Sequence, residues 1–368
     1  MGQRKGVLET MVIDPTFWRG RKVFLTGHTG FKGAWASLLL GRLGAQVYGF
    51  ALAPENEADI FRTAEVGRDV HHGLGDIRDL SAISAALAQA RPDIVIHMAA
   101  QSLVRLSYAE PVTTYATNVM GTVNLLEAVR HTPGVQAVVV VTSDKCYENR
   151  GWVWGYRETD RLGGHDPYSN SKACAELVVD AYRRSFFSQG GCKVATARAG
   201  NVIGGGDWAK DRLVPDAMRA FMAGTAVRIR NPGAVRPWQH VLDPVAAYLV
   251  LAQSLLLDGN DFGAEWNFGP SATSDVPVGK VIEALVQHWG AKAGWEIDPG
   301  EHPHEAAYLK LDCSKAASRL HWRPAIDLDE ALRLTVEWYR AYQAGAEMRG
   351  ITLSQIQQFL SKQEALQN

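Results

Sequence analysis

The 368-residue chain has only four cysteines, Cys146, Cys174, Cys192 and Cys313, and no two of them form a CxxC pair. Such scattered thiols exclude a disulfide framework and the usual zinc spacings. His302 and His304 have no third ligand and no helix to share, so no metal is expected. No run of eighteen apolar residues occurs, and Met1 to Arg21 has no apolar core of the signal type. The sequence therefore predicts neither a membrane span nor a secretory leader. A net charge of -1 leaves no basic field to attract nucleic acid. The expected setting is the cytoplasm, and the expected partner is a small molecule held by local charges. Residues 1–14 read as an N-terminal leader, with Met11 as an alternative start.

Short apolar runs alternate with helical patterns. Lys22 to Thr26, Gln46 to Leu52, a weaker segment ending at Gly75-Asp76, Asp93 to Met98, Ala137 to Thr142 and Lys193 to Ala199 read as strands. Lys32 to Leu43, Ser81 to Gln89, Asn118 to Arg130 and Tyr168 to Phe187 read as helices. Continuous apolar strands that alternate with helices predict an α/β fold, a Rossmann-type doubly wound parallel sheet. Beyond Gly204-Gly205-Gly206, proline, glycine and tryptophan become frequent. Residues 15–204 are therefore expected to form a dinucleotide-binding domain. Residues 205–345 are expected to form mainly a smaller mixed α/β substrate-binding region, interleaved with the sheet, with helices near Ala246 to Leu256, Val278 to Trp289 and Leu328 to Tyr342. The tail 346–368 is helix-prone and otherwise uninformative.

Gly27, Gly30 and Gly33 fall between the first strand and the first long helix. In that position glycines permit a tight turn, close approach to a pyrophosphate and close helix–strand packing. The helix N-terminus adds amide donors for phosphate. Thr29 and Phe31 belong to the same turn. Asp76 and Ile77 after the third strand, and Ala99, Ala100 and Gln101 after the fourth, are expected to line the dinucleotide. An acid usually closes the second strand to hold the adenosine ribose. Here the strand runs on to Leu52-Ala53-Pro54, and Glu55 is the first acid. Arg62 is too far along to clamp a 2′-phosphate, so NAD is preferred over NADP.

Tyr168 and Lys172 stand four residues apart and share a helix face. A nearby ammonium favours phenolate, which makes a base for a sugar or alcohol hydroxyl. Ser143, Asp144 and Lys145 follow an apolar strand, where α/β sites sit. A simple dehydrogenase needs only the hydroxyl. The extra acid and amine suggest a further step beyond oxidation.

The glycine turn, Ser143 and Tyr168-Ser169-Asn170-Ser171-Lys172 resemble the extended short-chain dehydrogenase/reductases that act on nucleotide sugars. Five more stretches narrow the likeness: His97 to Gln101, Ser143 to Glu148, Arg198 to Trp208, Arg236 to His240 and His304 to Lys310. Together they resemble the CDP-glucose 4,6-dehydratases over residues 14–342. The dTDP-glucose branch has Asp-Glu where this chain has Asp144-Lys145, and the epimerases lack the carboxylate. The resemblance implies a redox-neutral cycle on CDP-glucose: oxidation at C4, loss of water across C5 and C6, and hydride return to C6. It implies that NAD stays bound, with Tyr168 as the base at the 4-hydroxyl and Asp144 as the acid at the 6-hydroxyl. Lys145 is then either the C5 base or an electrostatic stabiliser. Lys172 and Asn118 would contact the cofactor. Arg212 and Arg236 are the expected diphosphate cations, with Lys210 a weaker third, and Asn201, Trp208 and Tyr308 complete the expected substrate contacts. Another nucleotide-sugar 4,6-dehydratase, a UDP-sugar 4-epimerase and a non-catalytic NAD-sensing scaffold are the competing readings. Helices Asn118 to Arg130 and Tyr168 to Phe187 would pair subunits in a homodimer or homotetramer. Val119, Val123, Leu126 and Val129 fit that role, or packing on the sheet.

Overall fold

The computed structural model describes residues 12–257, 262–271, 274–290, 293–300 and 308–366. Six strands follow one another: β1 (Lys22–Thr26), β2 (Gln46–Ala51), β3 (Val70–Leu74), β4 (Ile94–His97), β5 (Ala137–Val141) and β6 (Lys193–Ala199). The short strands β7 (Val202–Ile203), β8 (Val227–Ile229), β9 (Val235–Pro237) and β10 (Gln239–His240) come next, then β11 (Glu265–Phe268), β12 (Asp275–Pro277) and β13 (Trp295–Ile297). The helices are α1 (Pro15–Trp18), α2 (Phe31–Arg42), α3 (Ile60–Thr63), α4 (Leu80–Ala90), α5 (Val104–Ala109), α6 (Pro111–Tyr115) and α7 (Gly121–Arg130). They continue with α8 (Pro167–Ser185), α9 (Leu213–Met222), α10 (Leu242–Leu257), α11 (Val278–Trp289), α12 (Ser314–Arg319), α13 (Leu328–Gln343) and α14 (Met348–Ala365).

The main sheet has seven strands in the order β11-β6-β5-β4-β1-β2-β3, and every pairing in it is parallel. This is the doubly wound arrangement that the apolar runs predicted. Alternation within the runs divides their side chains between two cores. Leu25, Ile96 and Val139 face the layer of α2, α10 and α13. Phe24, Val95 and Val138 face the layer of α4, α7 and α8. The chain reverses its direction of travel between β1 and β4, which opens a crevice at their carboxyl ends. Thr26 Oγ1 closes the floor of that crevice by accepting the Met98 amide at 3.1 Å and the Ala99 amide at 3.2 Å.

Three parts of the chain differ from the expectation. The seventh strand, β11, escaped notice because Glu265-Trp266-Asn267-Phe268 has no β-branched residue. It brings the far half of the chain into the main sheet. The helix expected from Asn118 starts earlier, at Pro111 in the first turn of α6, and passes through one π-helical stretch, Ala116–Met120, before α7. The tail is not idle: α14 buries Ile356 and Phe359 in the core, and Trp338 Nε1 donates to Thr352 Oγ1 at 3.0 Å. Its sparse apolar positions hid this. The leader residues 1–11, with the alternative start, and His302 and His304 lie outside the described residues.

Gly33 is the tightest joint between helix and turn. A Cβ there would stand 2.0 Å from the Gly27 carbonyl oxygen, and Gly27 itself sits at φ +76. Backbone atoms cannot swing aside as a side chain can. Gly33→Ala should therefore lose about 1–3 kcal/mol of stability by overpacking, although alanine is the better helix former by ~1 kcal/mol. Chemical denaturation checks the sign, and a stabilised variant would contradict the packing argument.

Candidate active site

A cleft of about 1820 Å³ runs across the carboxyl ends of the strands. A single small-molecule site takes roughly 300–1,000 Å³, so there is room for two ligands. One half is lined by Gly27, Thr29, Gly30, Phe31, Gly33, Asp76, Ile77, Ala99, Ala100 and Gln101. Gly30 caps α2 without a side-chain hydrogen bond, and a Cβ on it would meet nothing nearer than 3.5 Å. The first-turn residues Phe31, Lys32 and Gly33 line the cleft, and the amides that open a helix lack intrahelical partners, which fits the pyrophosphate of a dinucleotide. Past β2, the acids that line the cleft are Glu55 and Asp59. Asp76 is less available than its position suggested, because Arg78 Nε donates to its Oδ2 at 2.9 Å.

Asn118, an expected cofactor contact, has its side chain engaged by protein groups. Its side chain accepts the Gln101 amide at 2.8 Å and donates to the Gln101 carbonyl and to Ser171 Oγ, both at 2.9 Å. Buried and committed in this way, it fixes the loop after β4 against α8. Tyr308, an expected substrate contact, is held through its backbone. Its carbonyl accepts from Asn149 Nδ2 at 2.7 Å, and among the described residues Leu309, not Tyr308, lines the cleft.

The chemical groups meet where β5 ends and α8 begins. Asp166 caps α8 by accepting the Ser169 amide, and Pro167 opens its first turn. This places Tyr168 in the cleft beside Ser143, Asp144 and Lys145. Ser143 Oγ donates to Asp144 Oδ1 at 3.0 Å and accepts the Lys145 amide at 3.1 Å. Asp144 Oδ2 is buried with no hydrogen-bond partner. Burial raises the Asp144 carboxyl pKa, against the pull of Lys145, Ser143 and Arg236. Gly200 makes room for it, since a Cβ there would lie 2.0 Å from Asp144 Oδ2.

Tyr168 departs from the expected depressed pKa. Burial pushes the phenol up to about 12, with Ser143 opposing and the Asp144 carboxylate adding to the rise. Lys172 is itself buried and pushed down to about 8, with Glu176 opposing, and its Nζ donates to the Val141 carbonyl at 3.3 Å. Burial dominates, and the groups that act on Tyr168 are Ser143, Asp144, Arg212 and Asp166 rather than the Lys172 that spacing placed nearby.

On the far wall stand Asn201, Trp208, Lys210, Arg212 and Arg236. Arg212 spans the cleft: Nη1 donates to Asp207 Oδ2 at 3.1 Å and Nη2 to Ser102 Oγ at 2.9 Å. Asn201 takes a positive φ of 24, in a region asparagine tolerates better than most residues.

Sequence reasoning gave no role to the groups beneath the site. Glu176 accepts from Arg198 Nη2 at 2.8 Å and from Thr196 Oγ1 at 2.7 Å, and the Thr142 hydroxyl donates to its other oxygen. Burial would raise the Glu176 carboxyl, but Arg198 and the two hydroxyls hold it below the usual range. A charged residue inside the apolar strand β6 was the available signal, because a buried charge needs a partner. Lys32 was also passed over. It lines the cleft, its Nζ lies 6.0 Å from the Tyr248 ring, and burial brings it down to about 8, with Lys172 and Arg212 adding to the fall.

The family model for GDP-mannose 4,6 dehydratase matches residues 24–335. A CDP-glucose 4,6-dehydratase of Salmonella typhimurium is 50% identical over 95% of this chain and 99% of its own length. A dTDP-glucose 4,6-dehydratase of Streptomyces antibioticus is 32% identical over 72% of this chain and 75% of its own. Two solved structures share the fold. UDP-glucose 4-epimerase from Stenotrophomonas maltophila, with bound NAD and formylated UDP-arabinopyranose, has a TM-score of 0.77 at 24% identity, over 89% of this chain and 100% of that one. The Bacillus anthracis dTDP-glucose 4,6-dehydratase in complex with NAD has a TM-score of 0.72 at 21% identity, over 89% and 99%. The chain belongs to the GDP-mannose 4,6 dehydratase family, the nucleotide-sugar 4,6-dehydratases.

Proposed function

We propose that the protein converts CDP-D-glucose to CDP-4-dehydro-6-deoxy-D-glucose and water, with NAD as its resident cofactor. The observation that carries the reading is the Asp144 carboxylate, buried beside Tyr168 with Oδ2 unpartnered. A 4-epimerase expels no hydroxyl and needs no acid there. The preference for cytidine rests on the 50% identical relative.

Bound NAD supplies the acceptor for the C4 hydrogen and gives that hydrogen back at C6. The chain's own residues manage the protons and the charge. Tyr168 takes the proton of the 4-hydroxyl, with Ser143 bonded to the same oxygen. Oxidation at C4 makes the C5 hydrogen acidic. Asp144, whose pKa burial raises, delivers a proton to the departing 6-hydroxyl. Lys145, beside the same carboxyl, takes the C5 proton, stabilises the C4–C5 enolate as the ammonium that results, and returns a proton to C5 as C6 is reduced. Lys172 and the α2 amides hold the cofactor's ribose and pyrophosphate, and Arg212 and Arg236 hold the substrate diphosphate bidentately.

The reading places the enzyme in the cytoplasm. It also pairs two copies through α5 to α8, where Tyr108, Val112, Met120 and Leu177 are exposed.

Proton NMR of CDP-glucose with the purified protein, beside dTDP-glucose and UDP-glucose, tests the function. A new C6 methyl doublet from CDP-glucose is expected, and no methyl from any of the three contradicts it. Asp144→Asn should slow methyl formation by about 10²–10⁴-fold, the usual worth of a positioned acid, while KM stays within a few-fold. An unimpaired variant removes Asp144 from the mechanism. Because burial raises Tyr168, phenolate is scarce at neutral pH. Single-turnover oxidation at C4 should then speed up by as much as about tenfold per unit between about pH 7 and 9. A flat profile would show that Tyr168 is not the base.

A further inference from the structure

Past Arg212 and Arg236 the cleft continues into an outer lobe between α9 and β8, lined by Pro215, Asp216, Arg219, Arg228 and Arg230. Asp216 lies one helical turn beyond Arg212, with its amide donating to the Arg212 carbonyl at 3.0 Å, and Arg230 donates to the Asp211 carbonyl at 3.4 Å on the same side. With the sugar at Tyr168 and the diphosphate at the two arginines, the base is the part of the substrate left for the lobe.

Asp216 stands in the first turn of α9. Arg219 donates to its Oδ1, and also to the Trp208 carbonyl at 2.8 Å and the Ala209 carbonyl at 3.2 Å. Arg219 therefore clamps the carboxylate to the loop that carries the substrate cations. Among the described residues Asp216 Oδ2 accepts no hydrogen bond, and 36% of the side chain stays open. A fixed carboxylate with one free oxygen in a ligand lobe is an acceptor without a donor.

We propose that Asp216 determines the base preference by accepting the N4 amine of cytosine. The proposal rests on the reading of the protein as a CDP-sugar dehydratase. Cytosine presents an amine at C4, and uracil and thymine present a carbonyl oxygen at the same place. The amine gains a charge-assisted hydrogen bond from the carboxylate. The carbonyl meets a like charge, and that repulsion discriminates as strongly as the attraction does. Arg219 is the positioning residue, since its donors already serve Asp216 and two backbone carbonyls.

The test compares kcat/KM for CDP-glucose and UDP-glucose in the holoenzyme and in Asp216→Asn, whose amide donates to a carbonyl. The CDP/UDP ratio should fall by about 10–100-fold, the worth of one good base contact, and mostly through KM. Calorimetric binding of CDP and UDP to the unaltered holoenzyme adds a readout that needs no variant, and CDP should bind at least about tenfold tighter. A ratio that Asp216→Asn leaves unchanged overturns the proposal, and so does equal binding of CDP and UDP. Holoenzyme that gives no methyl product from CDP-glucose overturns the functional reading instead, which separates the two failures.

Discussion

The buried ion pair between Glu176 and Arg198 is the constraint on which the site depends. Glu176 rides on α8, two turns beyond Tyr168 and one beyond Lys172. Its oxygens are taken by Arg198 and Thr196 on β6 and by Thr142 at the end of β5. Three elements are thereby locked in register, and each carries part of the chemistry: Tyr168 on α8, Ser143 and Asp144 after β5, and Gly200 and Asn201 after β6. Removing one partner of such a pair leaves a buried charge at a cost of about 3–5 kcal/mol. Arg198 also donates to the Tyr147 hydroxyl at 2.7 Å and the Glu158 carbonyl at 3.0 Å, while its Nε is buried without a partner. The pair is better understood as fixing geometry than as adding net stability.

Burial sets the character of the groups held in that register. The Asp144 pKa is raised because Gly200 lets the carboxyl sink against backbone, where Oδ2 is buried without a hydrogen-bond partner. Tyr168 and Lys172 are pushed toward neutrality by the same desolvation. The cations that face the open cleft, Arg212 and Arg236, pull Tyr168 and Asp144 the other way. In the proposed reading, groups that burial shifts toward neutrality stand at the sugar, and arginines stand at the diphosphate. The same logic extends outward to Asp216, an anion held where a base must be chosen.

Much of this was legible in the chain. The runs at Lys22 to Thr26 and Ala137 to Thr142 revealed the parallel sheet because buried strands cannot be polar. The spacing of Gly27, Gly30 and Gly33 marked the turn because backbone needs those gaps. Tyr168, Ser143 and Asp144 were legible as types and positions. What stayed hidden came from tertiary context. Spacing put an ammonium near Tyr168 but could not show that burial would dominate or that Lys172 would turn to the Val141 carbonyl. Nothing in the sequence showed that the Asn118 side chain would bond to Gln101 and Ser171. Tyr308 lay in a recognisable stretch, of whose described residues Leu309 lines the cleft. The β11 strand and the buried face of α14 carried too weak a pattern to be read alone.

The central claim is that one cleft carries a hydrogen from C4 of the sugar to C6 of the same sugar while its own residues move only protons. CDP-glucose labelled with deuterium at C4 tests this most directly, with the product's methyl group read by mass spectrometry and NMR. The account predicts one deuterium in the C6 methyl, with none lost to water. Deuterium that remains at C4, or that appears in solvent, would contradict it.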